Sequence, residues 1–122
     1  MDTESIREYC LSFPHTTEDI QWENDLLFRI GGKIFAVLGL EPSESSVLSF
    51  KCTPENFAEL IERDGIIPAP YVARYHWVAL QRIDALGAAE LKRLIKESYG
   101  MVAAKLPKKV RAQLDRKRTK RR

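Results

Sequence analysis

The sequence predicts a single α+β domain in which helices cover one face of a five-stranded antiparallel sheet. Three observations lead there. Adjacent glycines, Gly31 and Gly32, divide the apolar run of residues 26–40, LLFRIGGKIFAVLGL. Apolar residues alternate with period two before and after that run, and they recur with helical period near both ends of the chain. A chain of 122 residues fits one domain and can bury a core without metal or disulfide staples.

The glycine pair reads as a hairpin turn, because only glycine takes positive φ without steric cost. A two-residue turn sets the register: Ile30 faces Lys33, Phe28 faces Phe35 and Leu26 faces Val37 on one side of the sheet. Arg29 then faces Ile34, and Leu27 faces Ala36, on the other. Ahead of the hairpin, Ile6, Tyr9, Cys10 and Phe13 share one helical face, with Thr3 as N-cap and Pro14 as terminator. Ile20 and Trp22 suggest a short strand. Residues 47–51 return as a strand with Leu48 and Phe50 on one face. Thr53-Pro54 starts a second helix, since threonine caps free amides and proline at the first position loses no needed donor. Phe57, Leu60 and Ile61 form its apolar face and Gly65 is placed to end it.

Residues 66–73 contain Pro68 and Pro70 and are expected to be irregular or extended, though unusually apolar for a loop. Residues 76–83 read as the last strand. From Leu91 the apolar positions keep helical phase through Leu94, Ile95, Tyr99, Val102 and Leu106, which predicts one long helix across Gly100 at a cost of about 1 kcal/mol for the internal glycine. Pro107 closes that helix and opens another with Val110 and Leu114 as its apolar contacts. The domain is expected to span residues 1–114, with 115–122 a disordered basic tail.

The net charge of +3 conceals a division. Residues 105–122 hold ten Lys or Arg against Asp115, giving +9, and the first 104 residues hold ten basic and sixteen acidic side chains, giving −6. Cys10 and Cys52 are the only cysteines and have no partner nearby in sequence, which suits a reducing cytoplasm. No apolar run approaches a membrane span, and the N-terminus lacks a signal-peptide plan.

Four stretches resemble the MmcQ/YjbR family of small bacterial proteins: GGKIFA at residues 31–36, LSFKCTPE at 48–55, PAPYVARYHWV at 68–78 and ESYGMVAAKLPKK at 97–109. The resemblance covers nearly all of the chain up to about Arg111. It implies a fold like that of the CyaY-type proteins, with helices on one face of a curved antiparallel sheet. It also implies DNA binding, through a proposed double-wing arrangement of sheet and loops, and it carries no catalytic motif. Gly100 departs from the larger residue expected there, and residues 115–122 lie outside the motifs.

Three constellations offer chemistry. The first is the basic arm: Lys105, Lys108, Lys109, Arg111, Arg116, Lys117, Arg118, Lys120, Arg121 and Arg122. Cations in a row suit a phosphate backbone, where they position without specifying sequence; the alternative is a solvated tail. The second places Arg29, Lys33 and Lys51 beside the central strands, with Tyr71, Arg74, Tyr75, His76 and Trp77 in the proline-rich loop and the strand after it. Such a mixture can hold phosphate and stack bases, while the alternative makes the aromatics core packing. The third is acidic, Glu18, Asp19, Glu23 and Asp25, whose spacing matches no calcium loop and fits a solvated edge strand better.

No enzyme, metal or cofactor is expected. His15 and His76 sit in no metal spacing, and no serine or cysteine lies in a nucleophile turn. Cys52, beside Lys51 and ahead of a helix, could have a lowered thiol pKa, but it reads better as a small buried residue. The leading expectation is weak, largely non-specific DNA binding by a monomer or weak dimer. Its rival is a protein-interaction module using the apolar loop at 66–72 or an open sheet face.

Overall fold

The computed structural model describes residues 1–21, 24–40, 47–70 and 72–120, with side chains up to residue 114. Among these, the order is α1 (Thr3–Leu11), β1 (Thr16–Gln21), β2 (Asp25–Ile30), β3 (Lys33–Gly39), β4 (Leu48–Lys51), α2 (Pro54–Leu60), β5 (Ile66–Pro68), β6 (Trp77–Leu80), α3 (Ala88–Ala104) and α4 (Lys108–Lys120). The strands form one antiparallel sheet ordered β1-β2-β3-β4-β6-β5. The fold class is as expected, with six described strands in place of five. The additional strand, β5, lies within the proline-rich segment that reads as a loop. Proline is tolerated there because β5 is an edge strand, paired only with β6 through Ile66↔Leu80, Ile67↔Ala79 and Pro68↔Val78.

The hairpin begins as its turn dictates, with Ile30↔Lys33 and Arg29↔Ile34 paired, and then the register shifts. Phe28 pairs with Ala36, Leu27 with Val37 and Leu26 with Leu38, in place of the expected Phe28–Phe35, Leu27–Ala36 and Leu26–Val37. Phe35 is the extra residue of a β-bulge, and because side chains alternate across the pleat, every later residue of β3 changes face. Val37 turns away from the helices and Leu38 turns in, fully buried.

Helix α3 holds the bulge in place. The Ser98 hydroxyl donates to the Phe35 carbonyl at 2.6 Å and accepts from the Lys51 amide at 3.0 Å. Those two backbone groups would have faced each other in an unbroken β3–β4 ladder. Ser98 is the buried polar residue that satisfies both.

The helix-covered face carries Phe28, Phe35, Phe50, Leu38, Leu48 and Leu80, all essentially inaccessible to solvent, against Ile6 and Cys10 of α1 and Leu91, Leu94 and Ile95 of α3. Helix α1 is capped by Asp2, not by Thr3: the Asp2 carboxylate accepts from the Ser5 amide at 2.8 Å, and the Asp2 amide donates to the Ser5 hydroxyl at 3.0 Å. Thr53 caps α2 by accepting from the Asn56 amide, with Pro54 at the first position. That helix ends at Leu60, and Gly65 serves the turn into β5. Helix α3 continues through Gly100 as its phase predicts. The α4 backbone is helical to Lys120, where the sequence predicts loosened chain beyond Asp115; Arg121 and Arg122 lie outside the described residues. No helix among the described residues is long and apolar enough to cross a membrane.

Candidate nucleic-acid interface

Antiparallel pairing decides which residues meet at each end of the sheet. The Gly31-Gly32 turn marks one end. Phe50 pairs with Ala36, so Lys51, next along β4, reaches that end too; β6 pairs Trp77 with Lys51, so the turn at Ala73–Tyr75 and His76 arrive at the same place. Residues distant in sequence are thereby gathered around one hairpin.

Helix α4 joins them by docking on the turn. Leu106 is buried, and Val110 and Leu114 pack against the core. A Cβ at Gly31 would lie 2.8 Å from Leu106 and 3.0 Å from Val110, and Gly31 has φ +59°. The position therefore needs glycine twice over, for its left-handed backbone and for the close approach of α4. Lys105, Lys108, Lys109 and Arg111 are exposed around this contact.

The cations differ in how they are satisfied. Arg7 pairs with Glu18, Arg29 with Asp19, Arg63 with Glu59 and Glu90, Arg82 with Asp64 and Asp84, and Arg93 with Glu90 and Glu97. By contrast, Lys33, Lys105, Lys108, Lys109 and Arg111 make no ion pair among the described residues. Arg29, one of the candidate phosphate ligands, is committed to Asp19 at 3.0 Å and to the Gly32 carbonyl at 3.1 Å. Lys51 donates to the Tyr75 carbonyl at 2.8 Å. Burial, and then the nearby Lys105 charge, hold its ammonium below the usual lysine range. Arg74 lies 4.9 Å over the Tyr75 ring, and both are exposed. Arg116, Lys117 and Arg118 lie on the α4 backbone, their side chains outside the described residues. Tyr71 is outside them also.

The face of the sheet away from the helices carries a cavity of about 580 Å³. Ile34, Val37 and Ser49 form its floor, with Pro70, Val72 and Trp77 along one side and Asp25 at the end away from the turn. Sequence reasoning missed this site because Val37 reaches it only through the bulge. The apolar stretch 66–72 gave a partial signal: Ile66 and Ala69 are buried against the sheet, so the segment packs on its own domain and walls the cavity.

The acidic constellation is not assembled. Alternation along β1 sends Glu18 toward α1, where it meets Arg7, and Asp19 to the other face, where it meets Arg29; Glu23 lies outside the described residues. β1 is an edge strand, as that reading has it. Both thiols are buried, and burial pushes Cys10 and Cys52 up to about 12, so Lys51 does not activate Cys52. His76, at φ +66°, caps the turn before β6, and its ring meets Phe57 edge-on at 5.6 Å.

The chain is similar in fold to two solved structures. Deinococcus radiodurans protein DR2400, which carries a DUF419 domain, aligns with 26% identity over 92% of this chain and 86% of that one, at a TM-score of 0.78. A protein from Pseudomonas syringae aligns with 26% identity over 84% of this chain and 99% of that one, at a TM-score of 0.70. No curated protein matches the sequence. The YjbR family profile matches residues 11–101, a span that takes in the bulged hairpin, the Thr53-Pro54 cap and Ser98, and the chain belongs to the YjbR family.

Proposed function

We propose that the protein binds the phosphate backbone of nucleic acid, with duplex DNA as a ligand held weakly and largely without regard to sequence. The observation that carries this reading is the gathering of exposed cations without carboxylate partners around the Gly31-Gly32 end of the sheet. Lys33, Lys105, Lys108, Lys109 and Arg111 supply that charge, and the sequence of residues 116–122 adds six further Lys or Arg. The net −6 of residues 1–104 supports an oriented approach, with α4 and the turn leading.

Binding of this kind rests on counterion release, so affinity falls steeply with salt, with an exponent of about 0.9 per phosphate neutralised. Fluorescence anisotropy with a labelled duplex across a salt series tests it. Converting Lys105, Lys108, Lys109 and Arg111 to glutamine together is expected to reduce the slope by about 3–4. Absence of binding at low salt, or a slope unchanged by both that variant and removal of residues 115–122, defeats the proposal.

A further inference from the structure

We propose that the cavity on the open sheet face receives an unpaired nucleobase, stacked on Trp77, with the adjoining phosphate taken by Lys51. This deepens the phosphate-backbone reading and rests on it. It adds that a single strand or a free nucleotide, rather than a closed duplex, is the preferred ligand.

The shape and lining suit a base. A volume of about 580 Å³ lies within the range of about 300–1,000 Å³ of small-ligand sites. Ile34, Val37 and Val72 offer apolar contact to flat faces, the Trp77 indole offers a stacking surface, and Ser49 offers a polar group to a base edge. Base-on-aromatic stacking tolerates any base because each has a π-face, which agrees with a site of few polar groups.

Charge complementarity selects a phosphate-bearing occupant over a neutral apolar one. Ser49 lines the cavity, and Lys51, two residues along β4, shares its face and is the cross-strand partner of Trp77. Its ammonium is anchored to the Tyr75 carbonyl and has no carboxylate partner among the described residues. Burial, and after it the nearby Lys105 charge, raise the cost of holding that proton, and an arriving phosphate oxygen lowers it. Exposed Arg74 and Tyr75 lie beyond, on the path a strand would follow out of the cavity. A base inside a duplex cannot reach such a floor unless it is extruded, which costs pairing and stacking.

Trp77 fluorescence in a Trp22→Phe protein provides the readout. Titrations at low salt use a ten-nucleotide single strand, its duplex, the matching mononucleotide and a medium-chain fatty carboxylate. Single strands are expected to quench Trp77 and to bind about tenfold more tightly than the duplex, and Trp77→Ala to weaken them about ten- to hundredfold. Two cavity-filling variants, Ser49→Leu and Val72→Phe, each checked for native circular dichroism, are expected to remove the single-strand preference and leave duplex binding intact. Quenching by the mononucleotide to the same extent identifies a free nucleotide as the source of the base.

Equal binding of single strand and duplex without Trp77 quenching overturns the base site and leaves the phosphate reading standing. So does quenching by the fatty carboxylate alone. Failure of every nucleic acid to bind at low salt overturns both.

Discussion

Ser98 carries more of the fold than its size suggests, because one hydroxyl replaces the ladder hydrogen bond that the β3 bulge removes. Ser98→Ala leaves the buried Phe35 carbonyl and the part-buried Lys51 amide without their partner, and a loss of about 1–3 kcal/mol is expected in urea unfolding. Ser98→Thr retains the hydroxyl and should recover part of it. Two glycines test the backbone in opposite directions. Gly31→Ala meets both the left-handed φ and the Leu106 side chain, and should cost about 1–3 kcal/mol. Gly100→Ala projects into open space in mid-helix and should stabilise by about 0.5–1 kcal/mol. Phase alone places a helix across Gly100 and the turn alone calls for glycine at Gly31, whereas the second need for glycine there, room for Leu106 and Val110, comes from residues more than seventy positions later and cannot be read from its neighbours.

At the scale of elements, local signals were legible and long-range ones were not. The glycine turn, the Thr53-Pro54 cap and the helical phase from Leu91 are each encoded within a few residues, and each element forms where its signal lies. The bulge is not local: it answers to Ser98, and it alone moves Val37 into the cavity floor. Strand β5 was masked by Pro68 at its end and Pro70 just beyond it, which signal loop unless the edge position is known. Arg63 ties α2 to α3 by bonding Glu59 and Glu90. Its hydrogen bonds hold the Glu90 carboxyl below the usual glutamate range. A carboxylate depressed in the folded state adds stability above its unfolded pKa of 4.5, and that stability is lost as pH falls through the lower folded value. Glu90→Gln should therefore lower stability at pH 7 and flatten the loss of stability below pH 4.5. The pair is partly exposed, so the effect at neutral pH should stay below about 1 kcal/mol.

For the whole molecule, the division of charge along the chain becomes a division in space. The tail's excess of cations is legible by counting. Its meeting with Lys33 and Lys51 is not, since that follows from sheet order and from α4 docking on the hairpin. The arginines of the body are largely absorbed by their own carboxylates, whereas Lys33, Lys105, Lys108, Lys109 and Arg111, unpaired among the described residues, gather at the turn end as the cluster a polyanion would meet. Backbone amide NMR shifts, recorded while a short DNA duplex is titrated at low salt, test that most directly. The expected outcome is saturable shifts confined to Gly31–Lys33, Lys51, Arg74–Trp77 and Lys105–Arg111. Shifts concentrated instead at the opposite end of the sheet, around Asp64 and Arg82, or none at all, would contradict it.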